Sequence, residues 1–139
     1  MCNAFGIVNY EGPNVNVKGM EDYRPVSAFS FLGRYRLIDF PISNMSNSGV
    51  NHIKVFVKTN PRSLIEHLGT GRHYNINSKR GKLHILPAKN MDDVDFYNND
   101  INSYMFNMQA IEDVNQPYVI LAPAHMIYRQ DFSNLLDAH

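Results

Sequence analysis

The stretch that decides the fold runs from residue 33 to residue 49 and reads GRYRLIDFPISNMSNSG. After Arg36 its apolar residues are spaced roughly as on one face of a helix, at Leu37, Phe40, Ile42 and Met45. Pro41 is compatible with that helix because it falls in the first turn, and Gly49 is well placed to end it. Asp39 is close enough to the start to cap the helix, so we expect a structural role for it rather than a chemical one.

Strands and helices alternate on both sides of this stretch. Strands are predicted at residues 5–8, 52–58, 83–87 and 118–122, the last as a continuous apolar run typical of a buried parallel strand. Helices are predicted at 61–69, which begins with Pro and ends with Gly, and from 131. A further helix is predicted with one apolar face and its two methionines in the core, at Ile101, Tyr104, Met105, Met108 and Ile111. The pattern predicts an open α/β sheet of Rossmann-like character with flanking helices.

Composition narrows the function classes. The 139 residues are 44% apolar and carry 13 basic and 13 acidic side chains, so there is a core but no basic surplus for nucleic acid. The single Cys2 excludes a disulfide within the chain, and no apolar run approaches the roughly 20 residues of a membrane span. These features predict a cytoplasmic protein that binds neither nucleic acid nor a membrane.

The segment 33–49 resembles G-[KR]-[FY]-R-[IL]-I-D-F-x-[IL]-S-N-x-x-N-S-G of the ADP-glucose pyrophosphorylases, the glucose-1-phosphate adenylyltransferases. The resemblance implies a nucleotidyltransferase domain of about twice this length, followed by a left-handed β-helix domain. We therefore expect residues 1–139 to be the N-terminal part of such a domain, about its first half, with the remainder of the domain and the β-helix domain absent from this chain.

The groups that bind phosphate in the family differ here. Active members carry G-G-x-G-x-R-L after the first strand, where this chain has Asn9-Tyr10-Glu11-Gly12-Pro13-Asn14-Val15. Pro13 lacks an N–H donor and Glu11 adds a negative charge, so this loop is not expected to cradle a triphosphate. In the family motif R-A-K-P-A-V, Arg24 keeps the first cation, but Val26 replaces the lysine.

Two further family positions also depart from the pattern. Active members carry [AS]-G-D-H-[IV]-Y after the last of these strands, and its aspartate binds Mg²⁺. Here the sequence is Ala122-Pro123-Ala124-His125-Met126-Ile127-Tyr128, which keeps the histidine and tyrosine but has no carboxylate. The pocket motif W-Y-x-G-T-A-D-A corresponds to residues 96–103, where the aromatic pair is retained and the glycine is not. We expect no catalytic residue and no metal ligand in this chain, and Mg²⁺ in a catalytic partner only.

Seven residues are the candidates for binding. Arg24, Arg34 and Arg36 are predicted to form a phosphate or effector patch, since positions 34 and 36 share a face of an extended segment. The alternative is a set of surface or salt-bridged arginines. The remaining candidates, regarded as pocket remnants, are Lys58, Phe96, Tyr97 and His125. Ordinary alternatives are a solvated lysine, aromatic rings packed on the sheet, and a hydrogen-bonded structural histidine.

Three functions remain open from the sequence. The resemblance to the family, together with the changes at its phosphate, metal and pocket positions, favours a catalytically deficient regulatory subunit of glucose-1-phosphate adenylyltransferase in bacterial glycogen biosynthesis. Its partner would be the catalytic subunit, in a hetero-oligomer such as a tetramer, with a sugar phosphate or nucleotide as possible effector. The alternatives are an active sugar-phosphate nucleotidyltransferase with altered substrate or chemistry, and a stand-alone α/β binding module.

Overall fold

The computed structural model describes residues 3–10, 26–57, 62–69, 74, 76, 81–87 and 100–139. In chain order the elements are β1 (Ala4–Asn9), a 3-10 turn (Val26–Ala28), β2 (Ser30–Phe31), β3 (Tyr35–Arg36), α1 (Asp39–Asn47), β4 (His52–Val57), α2 (Arg62–Leu68), β5 (Lys82–Pro87), α3 (Asp100–Phe106), α4 (Met108–Glu112), β6 (Tyr118–Pro123) and α5 (Phe132–Ala138). The α/β fold predicted from the sequence is therefore confirmed.

The central sheet has four parallel strands in the order β5-β4-β1-β6. β1 pairs with β4 on one side and with β6 on the other. The chain therefore extends the sheet first from β1 to β4 and β5, and then on the opposite side of β1 at β6. This is the doubly wound arrangement, in which the reversal of strand order opens a crevice at the carboxyl ends of the strands.

The segment 33–49 forms a short hairpin strand followed by α1. The prediction placed helix directly after Arg36, but Tyr35–Arg36 pairs antiparallel with Ser30–Phe31, and α1 begins at Asp39. Pro41 lies in the first turn, as predicted, and Gly49 follows the helix end with φ +84°, a conformation that favours glycine.

α1 packs closely on the first strand. The position that a Cβ on Gly6 would occupy lies 2.3 Å from Sδ of Met45, which is fully buried. A side chain at Gly6 would therefore displace Met45, and the glycine lets α1 approach the sheet. The other residues of this core face come from the alternate positions of β1, β4 and β6 and from α1 and α2.

The prediction that residues 118–122 form a fully buried strand is wrong. β6 is the last strand of the sheet among the described residues, and only Ile120 and Ala122 are buried. Tyr118, Val119 and Leu121 are 45%, 45% and 52% exposed. The apolar run was interpreted as a central strand, but position in a sheet depends on neighbours that periodicity does not reveal.

The predicted apolar helix is also interrupted. Asn107 separates α3 from α4, and of the predicted apolar face only Tyr104 and Ile111 pack against the buried cluster of Phe5, Ile7 and Phe56. Met105 and Met108, predicted as core residues, are 65% and 42% exposed, and Ile101 is exposed as well. Within the described ranges no helix is long and apolar enough to cross a membrane.

A buried carboxylate joins α1 to its surroundings. Asp39 Oδ2 accepts from the backbone N–H of Arg36 at 2.8 Å, and Oδ1 accepts from the Tyr74 hydroxyl at 2.5 Å. Nε2 of His67, on α2, donates to the same carboxylate at 2.7 and 2.9 Å. The predicted helix cap is therefore wrong: Ile38 is the N-cap, and Asp39 is the first helical residue, with a carboxylate that holds three segments together.

The buried network around Asp39 keeps the hydroxyl of Tyr74 protonated. Burial raises the pKa of Tyr74, and the hydrogen bond to Asp39 raises it further, so the hydroxyl keeps its proton at any physiological pH. Tyr74 also accepts, through its backbone carbonyl, from the Ser46 hydroxyl on α1. The two contacts attach the described part of the segment near residue 74 to both ends of α1.

We predict that Asp39→Asn lowers the free energy of unfolding by about 2–4 kcal/mol, because an amide nitrogen would face donors that now share a carboxylate. Urea unfolding followed by circular dichroism measures this. Tyr74→Phe, which removes one donor, is expected to cost about 1 kcal/mol. The matched control is Asp137→Asn on the exposed surface of α5. An Asp39→Asn chain as stable as this control would contradict the role given to the carboxylate.

Among the described residues no strand pairs with the outer side of β6, and this edge with its exposed apolar side chains predicts self-association of the chain. Leu121→Lys is expected to shift the chain toward monomer in sedimentation velocity at micromolar concentration. Ile65→Lys on α2 is the control, because Ile65 is 49% exposed and α2 connects β4 to β5, on the opposite side of β1 from β6. A wild-type chain that remains monomeric would instead favour the stand-alone binding module.

Candidate functional site

The crevice predicted by the strand order lies between the carboxyl ends of β1 and β6. Asn9 and Pro123, the last residues of these strands, are register partners in the sheet. Ligands of open α/β sheets bind outside the carboxyl ends at such a point. The residues that follow the two strands, at Tyr10 and at Ala124–His125, are therefore the candidates for contact with a ligand.

The exit of β1 is fixed by backbone contacts. The N–H of Tyr10 donates to the carbonyl of Phe56 at 3.0 Å, and the hydroxyl of Ser27 donates to the carbonyl of Tyr10 at 2.5 Å. Ser27 belongs to the 3-10 turn, and its carbonyl accepts in turn from the N–H of Ile38 at 3.0 Å. The start of α1 and the end of β1 are thus tied to the same turn, which makes this side of the crevice rigid.

The exit of β6 places a histidine at the crevice. Ala124 is fully buried, while His125 is half-buried with its Nδ1 buried and without a hydrogen-bond partner in the part of the chain that the structure describes. Buried polar atoms are nearly always satisfied, so this nitrogen has hydrogen-bonding capacity that the described residues do not use. The structure therefore keeps His125 among the candidates but does not by itself give it a role.

A divalent cation does not fit the described residues of the crevice. Mg²⁺ prefers oxygen ligands, above all carboxylates. The residues at the exit of β6 are Pro123, Ala124 and His125, none of which has a side-chain oxygen. No cluster of three or more His, Cys, Asp or Glu side chains occurs within the described ranges.

The tyrosine of the same segment has a structural environment. Tyr128 packs against the core, and burial raises its pKa. Its backbone carbonyl accepts from Nδ2 of Asn44 on α1 at 2.9 Å. Further along, the hydroxyl of Ser48 accepts from the N–H of Phe132 at 2.9 Å. The polar residues of α1 therefore position the chain that leaves the crevice.

The arginines do not share the geometry expected of them. Arg34 lies in the turn between β2 and β3, where it is exposed, whereas Arg36 lies in β3. Nη1 of Arg36 donates to the hydroxyl of Ser63 at 3.1 Å and to its carbonyl at 3.4 Å. The extended segment thus includes only one of the two residues, so the shared-face argument is wrong. Their binding role remains a prediction.

Several candidates lie outside the described residues. These are Arg24, Lys58, Phe96 and Tyr97, together with the loop residues Glu11, Gly12 and Pro13. The structure therefore does not test the predictions made for these residues, and they stay predictions.

A separate cavity of about 390 Å³ lies at the other end of the sheet. It is lined by Asn3, Ser48, Gly49, Tyr118, Ser133, Leu136 and Asp137. Because Asn3 and Tyr118 lie at the amino ends of β1 and β6, this cavity is not the crevice and contains none of the candidate residues.

Sequence reasoning missed the contacts of Asp39, whose partners His67 and Tyr74 are 28 and 35 residues away. No spacing rule connects residues so far apart. It also missed a set of basic side chains in the first halves of β4 and β5. Side chains two positions apart in a strand lie on the same face, so the alternation in these strands would have placed them together.

Comparison with known proteins identifies the family. A model of the family described as nucleotidyl transferase matches residues 22–139. The chain is 35% identical over 140 residues to a glucose-1-phosphate adenylyltransferase of Thermosipho africanus, covering 100% of this chain and 34% of the relative. A relative of the same name from Clostridioides difficile is 34% identical over 113 residues, covering 81% of this chain and 29% of the relative.

The chain thus spans about a third of the length of the curated relatives it matches. The Rossmann-like sheet, the crevice at its strand order reversal and the matched residues agree with one another, and the resemblance carried by residues 33–49 is confirmed at the level of the family. The chain belongs to the nucleotidyl transferase family, and its relatives there are glucose-1-phosphate adenylyltransferases.

Proposed function

We propose that the protein is a catalytically deficient member of this family that regulates a glucose-1-phosphate adenylyltransferase. The observation that carries the proposal is the exit of β6, where a buried Ala124 precedes His125 and no side-chain carboxylate is present. In the family pattern an aspartate stands before the histidine. The four described strands of the sheet are present, while this strand end has no side chain that would hold Mg²⁺.

The physical requirement for transfer makes this loss severe. Nucleotidyl transfer spreads negative charge over the phosphates, and catalysis consists chiefly of positioning and of neutralising that charge. An alanine supplies neither a metal ligand nor a hydrogen bond. Glu11 in the sequence of the loop after β1, and Val26 at the family's lysine position, alter the charge in the same unfavourable direction.

The proposed biological setting follows from the relatives' name. We place the protein beside a catalytic adenylyltransferase subunit that converts ATP and glucose 1-phosphate to ADP-glucose and pyrophosphate for glycogen synthesis. Mg²⁺ belongs to that subunit. A hetero-oligomer, such as a tetramer, and a phosphorylated effector complete the proposal.

One observation favours the alternative of an active sugar-phosphate nucleotidyltransferase. His125 keeps a buried nitrogen without a partner among the described residues, which is the state of a group that contacts a ligand. In this alternative the missing carboxylate is supplied by another segment, and the substrate or chemistry differs from that of the relatives.

Reconstitution separates these functions. The chain is expected to form no ADP-glucose alone, and to change the rate or the effector response of a glucose-1-phosphate adenylyltransferase with which it is co-expressed. Product is measured by chromatography with and without this chain. The Asp137→Asn variant, changed on the exposed surface of α5, serves as a folded control. ADP-glucose formation by this chain alone at an ordinary enzymic rate, of order 1–1000 per second, would overturn the proposal.

His125 provides a second test. We predict that His125→Leu leaves the free energy of unfolding unchanged or raises it by up to about 1 kcal/mol, because it removes a buried nitrogen that lacks a partner. The measurement is urea unfolding, with Leu121→Lys at the neighbouring strand as a surface control. A loss of about 1–2 kcal/mol would show that His125 is a hydrogen-bonded structural residue instead.

A further inference from the structure

Four basic side chains occupy one face of β4 and β5. His52 and Lys82 are register partners in the sheet, and so are Lys54 and His84. Positions two apart in a strand point to the same side, and Phe56 and Leu86, the next positions in that alternation, lie together on the α3–α4 side of the sheet. The four residues therefore form a basic cluster on that side, which we define as His52, Lys54, Lys82 and His84.

The cluster has the dimensions of a small-anion site. Neighbouring strands lie about 4.8 Å apart and alternate residues of one strand about 6.8 Å apart, so the four Cα atoms outline a compact rectangle. Lys82 and His84 are exposed, whereas His52 and Lys54 are half-buried. The part of the cluster on β5 thus faces solvent, whereas the part on β4 is partly desolvated.

The electrostatics of the cluster are unbalanced. Burial lowers the pKa of His84, and the charges of Lys54, Lys82 and His52 lower it further. Burial also lowers the pKa of Lys54, against which the carboxylate of Asp113 acts to raise it. Asp113 ends α4 and is the acidic group that acts on the cluster among the described residues. Within the described ranges, Asp113 thus offsets one of the four basic groups, Lys54.

We propose that this basic cluster binds a small phosphorylated anion. A dianionic phosphoryl group would offset the repulsion among the four groups and accept hydrogen bonds from both lysines and from protonated histidines. A small anion is favoured over a nucleic acid, since the chain has 13 basic and 13 acidic residues and thus no general positive field.

The cluster is separate from the crevice. His52 and Lys82 begin their strands, whereas the crevice lies at the carboxyl ends, between β1 and β6. A ligand here would therefore act as an effector rather than as a substrate. Binding does not depend on the proposed loss of transfer activity, because it is measured on this chain alone, without nucleotide or partner.

Binding should be linked to protonation. The anion favours charged His84, so it raises the pKa of His84, which burial and its three basic neighbours now lower. Proton uptake accompanies binding, and the affinity increases as the pH falls from 8 to 6.

Calorimetric titration of the 139-residue chain with pyrophosphate, at low ionic strength and at pH 6 and pH 8, tests the proposal. Lys82→Gln and His84→Gln are each expected to weaken binding by roughly 3- to 10-fold, since each removes a charge within about 7 Å of the anion. Asp113→Asn should strengthen binding by a similar factor, a gain that damage to the fold would not produce.

The matched control is Arg62→Gln on α2, which removes one positive charge from the other side of the sheet, where Arg62 forms an exposed ion pair with Glu66. Equal weakening by Arg62→Gln and Lys82→Gln would overturn the proposal, as would undetectable binding of pyrophosphate at millimolar concentration. Tighter binding of a single-stranded oligonucleotide than of pyrophosphate, lost in Lys82→Gln, would replace the small anion by nucleic acid.

Discussion

The described structure depends on the carboxylate of Asp39. It accepts hydrogen bonds from the backbone of β3, from His67 on α2 and from Tyr74, and it does so at the first turn of α1. A buried charge is tolerated only when its hydrogen-bonding capacity is used, so these donors and the carboxylate require one another. Because α1 in turn packs on Gly6 and holds Tyr128 and Phe132 through Asn44 and Ser48, the geometry around the crevice follows from this contact.

The polar residues of 33–49 have structural roles in the described contacts. The side chains of Arg36, Asp39, Asn44, Ser46 and Ser48 form hydrogen bonds with α2, with α5, with Tyr74 and with Tyr128. The segment that identifies the family is therefore a framework under the crevice. Preservation of a framework preserves the fold and the family resemblance but does not require that chemistry be preserved with it.

Local rules predicted much of the fold. Proline at a helix start, glycine with positive φ after α1 and α2, and β-branched runs identified the strands β1, β4 and β5 and the ends of two helices. These signals act within a few residues, so sequence alone reveals them. The hairpin before α1 was missed because its pairs, such as Phe31 with Tyr35, are too few to produce a periodic pattern.

Properties that depend on distant neighbours were not predictable. The same apolar run in β6 suits a central or an edge strand, and only the sheet order shows that Leu121 is exposed. The contacts of Asp39 cross 28 and 35 residues, and the basic cluster exists only because the register places Lys54 beside His84. His125 was predicted at a strand end and follows β6 in the structure, while the binding roles of the candidate residues stay predictions.

We infer that this chain keeps the scaffold of its family but lacks the groups that bind a metal–nucleotide complex. The most direct measurement is calorimetric titration of this chain with Mg²⁺–ATP, beside the corresponding third of the Thermosipho africanus relative under the same conditions. The account predicts that this chain binds at least about tenfold more weakly, a difference of roughly 1.4 kcal/mol. Equal affinity of the two segments would contradict it.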